Sequence, residues 1–341
     1  MKRRLAAILL VLLAGAAAGR ADAFPNDPYY APYEWYGPLL GMPAAWTISP
    51  GSPSVTVAVL DSGVMADTPD LAGRLLAPLS ATGSDPLDGT TNHHGTWVAS
   101  IAGMGVNNGI GGAGVGNFSI LPITVTNAAG GNMSDWIAAG IRMAADRGAR
   151  AINVSLRTLS YSLLNDAAGY ARGKGALVFV AGGNFNRRMG MTGYDNLIFV
   201  SGTNALDQRW VEGGEGSTWG PYIDLAAPAD NIVAADPTLA SGYGLGDGTS
   251  FAAPFAAGAA AMAWSINPLL APDEVYAILK ETAVDLGTPG WDEVFGWGRI
   301  DIGAVAERAN RTAGAPEPAT LGLLAAGLVL WGAGRRVNRP H

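Results

Sequence analysis

Short apolar runs rich in β-branched residues recur along the middle of the chain, and segments of helical character separate them. Runs that are apolar at nearly every position are typical of strands buried on both faces, as in a parallel sheet covered by helices. The alternation therefore predicts an α/β fold of three layers with a mainly parallel central sheet flanked by helices. The predicted strands are 55–60, 120–125, 151–154, 177–181, 197–201 and 223–226. The predicted helices are 94–102, 134–147, 163–174, 250–265 and 273–282.

Length and composition limit the class of protein. A chain of 341 residues with 49% hydrophobic residues is long enough for one large domain, and we expect a monomer. Because cysteine is absent, neither disulfides nor thiolate metal sites contribute, and an ion held by oxygen ligands, such as calcium, is the expected extra stabiliser. The net charge of -7 argues against nucleic acid as a partner.

The N-terminus has the composition of a targeting segment. Basic residues at 2–4 precede an apolar run at 5–18, and small residues follow at 21–23. This order predicts a signal peptide at 1–23 that signal peptidase removes before Phe24. A retained membrane anchor is the alternative, although about 14 apolar residues are few for a bilayer span.

The C-terminus has three parts in a fixed order. The turn Pro316-Glu317-Pro318 precedes an apolar segment at 319–334 and a basic end. The arrangement resembles the PEP-CTERM sorting tail, which we assign to 313–341. The resemblance implies export to the surface or exterior of a Gram-negative cell, transient membrane association, and removal of the tail by an exosortase. A simple transmembrane anchor and a buried core helix are the alternatives.

Histidine is scarce in this sequence. Of three histidines, His93 and His94 stand together before a Gly-Thr pair, and the third lies in the tail. A hydrolase with a serine nucleophile needs a base that titrates near neutrality, so the candidates reduce to this dipeptide. A structural histidine is the alternative.

Two further residues have the positions that such chemistry requires. Asp61 follows a predicted buried strand, and ligand sites of open α/β sheets gather at the carboxyl ends of strands. Its carboxylate is suited to accept a histidine proton, or to cap a turn. Ser250 lies in a glycine-rich turn that opens an alanine-rich helix, where backbone N–H groups favour an oxyanion. A helix N-cap is the other interpretation of this serine.

The three segments together resemble the subtilisin-like serine endopeptidases. VAVLDSGV, HHGTWVASIAG and GDGTSFAAP are similar to the family's signatures, in its chain order of aspartate, histidine and serine. The likeness extends over about 25–306. It implies a peptidase domain at 24–312 in which Asp61, His94 and Ser250 form a triad that cleaves protein or peptide substrates through an acyl-enzyme, without a catalytic metal.

Other features bear on this activity. The segment FVAGGN resembles the family's oxyanion segment, which implies that the side-chain amide of Asn184 stabilises the oxyanion; a turn asparagine is the alternative. The stretch before Asp61 is too short for the family's usual propeptide, so we expect no autoprocessing. The rival functions are a catalytically silent surface-binding protein and an esterase, although an esterase usually has Gly-x-Ser-x-Gly around its serine.

The resemblance also implies a substrate groove. The strand ending at Ser155 and Leu156 resembles the one that pairs with the substrate backbone, and the segment containing Gly130 resembles the opposing edge. Arg157 stands where the family usually has glycine. This cation either restricts the groove or favours acidic side chains.

A calcium site is the last expectation. The loop VNNGIGG resembles the family's strong calcium site, in which backbone carbonyls and an amide oxygen point inward. Two aspartates would complete it, one of them matching the N-terminal ligand of the thermitase-like branch. A polar turn without an ion is the alternative. The implied ligands are Asp27, Asp70, Val106, Asn108, Ile110 and Gly112.

Overall fold

Seven parallel strands form the central sheet of the computed structural model, which describes residues 24–83, 93–127 and 129–314. In order across the sheet they are β2 (Leu79–Ser80), β3 (Ser119–Thr124), β1 (Thr56–Asp61), β4 (Ala151–Val154), β5 (Leu177–Ala181), β6 (Leu197–Thr203) and β9 (Ile223–Pro228). Two antiparallel hairpins lie outside this sheet. They pair β7 (Val211–Glu212) with β8 (Glu215–Gly216), and β10 (Ile232–Ala235) with β11 (Tyr243–Gly246).

Helices cover both faces of the sheet. In the described residues they are α1 (Tyr30–Tyr33), α2 (Tyr36–Leu39), α3 (Met42–Ile48), α4 (His94–Gly103), α5 (Ser134–Asp146), α6 (Tyr161–Gly173), α7 (Thr249–Ile266), α8 (Pro272–Thr282) and α9 (Ile302–Ala313). A short 3-10 turn spans Pro69–Leu71.

The strand side chains divide into two hydrophobic clusters. Val57 and Val59 of β1 pack in the cluster that contains α4 and α7. Their neighbours Ala58 and Leu60 pack in the cluster that contains α5 and α6. Because successive side chains of a strand point to opposite faces, a central strand covered by helices on both sides must be apolar throughout. This explains the unbroken apolar runs of the sequence.

The predicted three-layer fold is confirmed, with small shifts at the ends of elements. All six predicted strands and all five predicted helices are present. Helix α6 begins at Tyr161, two residues before the prediction, and α8 begins at Pro272, since proline fits the first turn of a helix.

Several short elements and one longer helix were not predicted. The unpredicted elements are α1, α2, α3, β2, the two hairpins and α9. Helix α9 has a recognisable start, because the side chain of Asp301 accepts the backbone N–H of Ala304 at 2.9 Å.

The two predicted targeting segments fall outside the part of the chain that is described. These are the signal peptide at 1–23 and the apolar segment at 319–334. Within the described residues, every helix is too short or too polar to cross a bilayer.

Candidate active site

Asp61 and His94 meet at the carboxyl end of β1. The Asp61 side chain is 1% exposed, and both of its oxygens lie 2.9 Å from His94 Nδ1. The backbone N–H of Ser62 donates to Asp61 Oδ1 at 2.8 Å. A carboxylate held in this way accepts the Nδ1 proton of the imidazole, which leaves Nε2 to act as a base.

A close approach of backbones places His94 beside the strand. His93 has a positive φ of 46° and turns the chain into α4. A Cβ atom on Gly95 would lie 2.0 Å from the carbonyl oxygen of Gly63, so only glycine fits there. The backbone N–H of Gly95 donates to Ser62 Oγ at 3.0 Å. The first turn of α4 therefore contacts the end of β1.

Ser250 reaches the same cleft from the first turn of α7. Its Oγ donates to the carbonyl oxygen of Ser155 at 3.1 Å, and Ser155 Oγ donates to the carbonyl oxygen of Ser250 at 2.7 Å. These two hydrogen bonds tie the start of α7 to the end of β4. Asp61, His94 and Ser250 all line one cleft of about 250 Å³.

The side chain of Asn184 is oriented by its neighbour Thr249. Asn184 Oδ1 accepts the backbone N–H of Thr249 at 3.0 Å and its hydroxyl at 2.8 Å. Thr249 Oγ1 in turn accepts the backbone N–H of Gly183 at 3.0 Å. Since the amide oxygen is engaged, Nδ2 faces the turn at Gly248 beside the serine. Thr249 lies within the motif GDGTSFAAP, but no pattern in the sequence indicates this orienting role.

The predicted groove residues surround the cleft. Ser155, Leu156, Arg157 and Gly130 all border it. Gly130 has a φ of 78°, and no atom would lie within 4 Å of an added Cβ. The Arg157 guanidinium lies 5.1 Å from the centroid of the Phe185 ring.

A second, larger cavity opens beside the serine. Its volume is about 650 Å³, and its lining includes Ser250, Asn184 and Arg157. Arg187 also borders it, a residue that sequence analysis missed because no motif surrounds it. The arginine at 157 therefore lines an open cavity and does not fill it.

Two of the predicted calcium ligands, Asp27 and Asp70, contact the loop that contains the others. Asp27 accepts the backbone N–H groups of Asn107 at 2.8 Å and Asn108 at 2.9 Å. Asp70 accepts Asn108 Nδ2 at 2.7 Å and the backbone N–H of Gly105 at 3.1 Å. The two aspartates thus approach one end of the loop that also contains Val106, Ile110 and Gly112.

A third carboxylate, which sequence analysis missed, lies against the other end of this loop. Glu34 is 1% exposed and accepts the backbone N–H of Ala113 at 2.8 Å, while its second oxygen has no hydrogen-bond partner in the described residues. Burial raises the pKa of Glu34 well above its usual range, and it raises the pKa of Asp70 to about 6. Burial also raises the pKa of Asp27.

These carboxylates have no lysine or arginine ion-pair partner among the residues that the structure describes. Burying a carboxylate without a counter-charge costs free energy. Oxygen donors without a counter-charge are the chemistry that a hard cation such as calcium prefers. In the described residues, however, these three carboxylates do not bring one oxygen each within 4.8 Å of one another, as ligands of one ion would.

Comparison with known proteins identifies the family of the chain. The model of the subtilase family matches residues 52–298. Thermitase of Thermoactinomyces vulgaris is 37% identical over 247 residues, which are 70% of this chain and 84% of thermitase. The thermophilic serine proteinase of Bacillus sp. (strain AK1) is 34% identical over 287 residues, 81% of this chain and 68% of that protein.

A solved structure of a protease from Pseudoalteromonas arctica superposes with a TM-score of 0.71 at 28% identity, over 84% of this chain and 99% of that one. The silent binding protein and the esterase are not favoured by any of these similarities. The chain belongs to the subtilase family and is a serine endopeptidase.

Proposed function

We propose that Asp61, His94 and Ser250 are the catalytic triad of this endopeptidase. Ser250 Oγ attacks the peptide carbonyl while His94 takes its proton and then delivers it to the leaving amine. Asp61 keeps the imidazole in the Nδ1–H tautomer and stabilises the imidazolium, and water hydrolyses the acyl-enzyme. The observation that carries the proposal is the 2.9 Å contact of His94 Nδ1 with buried Asp61, at a cleft that Ser250 also lines.

The oxyanion of the tetrahedral intermediate forms next to Ser250. Asn184 Nδ2 donates to it, because the amide oxygen of Asn184 already accepts two hydrogen bonds from Thr249. Removing one such donor from a subtilisin lowered kcat by about 10² to 10³, and we expect a loss of this size for Asn184→Ala. The substrate lies extended between the segment at 155–157 and the edge containing Gly130.

A fluorophosphonate probe tests the assignment of the nucleophile. Wild-type protein is expected to react with the probe and to hydrolyse casein. Ser250→Ala is expected to do neither while keeping the wild-type melting temperature. Labelling or proteolysis that persists in folded Ser250→Ala would mean that another residue is the nucleophile.

We also propose a structural calcium ion at the loop 106–112. Asp27 and Asp70 would hold it, together with the carbonyl oxygens of Val106, Ile110 and Gly112. The amide oxygen of Asn108 would join them after the side-chain amide turns, since Nδ2 donates to Asp70 in this structure. The ion would neutralise buried carboxylates and join the N-terminal segment to the end of α4; it takes no part in peptide hydrolysis.

Calcium removal tests this second proposal. We expect a chelator to lower the melting temperature and added calcium to restore it, since an ion that binds only the folded state stabilises it. Asp27→Asn should weaken the binding of terbium, which is measured by its luminescence. Equal melting curves with chelator and with calcium would contradict the site.

Export is the third part of the proposal. The leader at 1–23 directs the chain to signal peptidase, the domain at 24–312 acts outside the cell or at its surface, and an exosortase removes the tail at 313–341. Mass spectrometry of protein from a Gram-negative host with an exosortase is expected to show an N-terminus at Phe24 and loss of the tail. An intact apolar segment at 319–334 in the released protein would contradict sorting.

A further inference from the structure

The larger cavity lies where the side chain next to the scissile bond must go. Ser250 and Asn184 form one end of it, and the chain segments at 155–158 and 181–184 form its walls. A carbonyl attacked by Ser250 with its oxygen at Asn184 belongs to the residue just before the scissile bond. The side chain of that residue therefore enters the cavity.

Two arginines converge on one aromatic ring at this cavity. The guanidinium carbon of Arg157 lies 5.1 Å from the centroid of Phe185, and that of Arg187 lies 5.4 Å from it. Phe185 directly follows Asn184 and is 41% exposed. Contacts of this kind hold a guanidinium in place without neutralising its charge. The two positive charges are thus gathered beside the oxyanion asparagine, although they are 30 residues apart in sequence.

Neither arginine is neutralised by a carboxylate. In the described part of the chain, Arg157 and Arg187 form no ion pair, whereas Arg188 pairs with Glu293 at 2.6 Å. Among the described residues that border the cavity, Glu215 is the one that is acidic, so cations outnumber anions there. Arg157 also acts on the buried hydroxyl of Tyr161, where its charge opposes the rise in pKa that burial causes. Because Tyr161 borders the cavity, the positive charge of Arg157 acts on groups inside it.

The remaining lining suits the methylene groups of a side chain that carries a charge at its end. Leu156, Met189, Met191 and Tyr194 supply apolar surface around the cavity. A lysine or arginine side chain would bring a third positive charge to two that are already unpaired. A carboxylate would gain charge-assisted hydrogen bonds to the guanidinium groups, with the bidentate geometry that arginine favours.

We propose that this endopeptidase selects an acidic residue immediately before the scissile bond and that Arg157 and Arg187 recognise its carboxylate. The inference rests on the proposed assignment of Ser250 and Asn184. The sequence leaves two roles open for Arg157, restriction of the groove and preference for acidic side chains. We infer the second role, because the side chain lines the cavity and leaves it open.

Matched peptides test the charge preference. Otherwise identical peptides with glutamate, glutamine, lysine or leucine before the scissile bond are compared by kcat/KM. Glutamate and glutamine have the same shape, so their ratio isolates the charge. We expect glutamate to be preferred by about tenfold, since hydrogen bonds to charged groups are stronger than those to neutral groups, while exposure of these arginines to solvent limits the gain. The ratio should fall as ionic strength rises.

Variants assign the preference to the two arginines. Arg157→Gln and Arg187→Gln should each lower the glutamate-to-glutamine ratio, and the double variant should bring it close to one. Arg188→Gln is the matched control, because this neighbouring arginine is paired with Glu293 and should leave the ratio at the wild-type value.

The outcomes separate this inference from the catalytic assignment. Wild-type protein that cleaves the leucine peptide but treats glutamate and glutamine alike would overturn the inference and leave the triad in place. A ratio that stays high in the double variant would assign the preference to other residues and would also overturn it. Failure to cleave any peptide, together with no labelling by the fluorophosphonate probe, would overturn both proposals.

Discussion

Single residues decide how closely the parts of this active site approach one another. The first turn of α4 contacts the end of β1 through Gly95, and the turn before α7 contacts Asn184 through Gly248. At both positions a side chain would meet atoms that hold a catalytic group. The glycines of the two motifs thus have a steric role, beside the polar residues to which we propose a chemical one.

Gly95→Ala is expected to lower kcat about 100-fold, because a displacement of about 1 Å at a catalytic group costs about this much. The added methyl group would lie 2.0 Å from the carbonyl oxygen of Gly63 and push His94 away from Asp61. Steady-state kinetics on a peptide substrate measure the effect. Gly173→Ala is the matched control, since no atom lies within 4 Å of an added Cβ there. Wild-type kcat in Gly95→Ala would show that the helix tolerates the shift.

At the scale of elements, β9 and α8 are joined by a partly buried polar contact. The hydroxyl of Tyr276 donates to Asp224 Oδ1 at 2.5 Å, and the backbone N–H of Phe199 donates to Oδ2 at 2.8 Å. Burial raises the pKa of Asp224 to about 6 despite these donors. The folded state therefore favours the protonated carboxyl group more than the unfolded chain does.

This shift predicts a pH-dependent contribution to stability. A raised pKa stabilises the fold fully below the unfolded value of 3.8, and the contribution is lost as pH rises through about 6. Relative to Asp224→Asn, wild-type protein should lose on the order of 3 kcal/mol of unfolding free energy between pH 4 and pH 7. Urea unfolding of both proteins across this range measures the difference. Asp166→Asn, which removes an exposed carboxylate of α6, controls for net charge. A difference between wild type and Asp224→Asn that is constant with pH would contradict the shift.

At the scale of the whole molecule, one buried arginine connects distant parts of the chain. Arg299 is 4% exposed, and its Nε donates to Asp207 Oδ1 at 2.6 Å. Its Nη1 donates to the carbonyl oxygen of Leu39 at 2.8 Å. The side chain therefore links the N-terminal helices, the loop after β6 and the segment before α9.

Asp207→Ala is expected to lower the free energy of unfolding by about 3 kcal/mol, because it leaves a buried guanidinium without its counter-charge. Denaturant unfolding measures this loss. Glu293→Gln is the matched control: it breaks the exposed pair with Arg188, and exposed pairs contribute at most about 1 kcal/mol. Equal losses in the two variants would mean that burial of Arg299 does not matter.

The amino-acid sequence by itself determined the fold class and the candidate triad. Each buried strand appears in the sequence as its own apolar run, because both of its faces are covered. Each triad residue stands in a local motif of glycines and small residues, because the backbone must turn sharply there. Both are short-range signals, and the three motifs resemble the signatures of a known family, so Asp61, His94 and Ser250 could be named without coordinates.

Only the tertiary structure decided which side chains from distant segments meet. Glu34 lies against a loop almost 80 residues away, Thr249 orients Asn184, and Arg187 joins Arg157 on one ring. No periodic pattern marks these residues, because each acquires its partner when separate elements pack against the sheet. Contacts of this kind depend on the path of the whole chain, and the substrate preference that we infer from Arg157 and Arg187 rests on one of them.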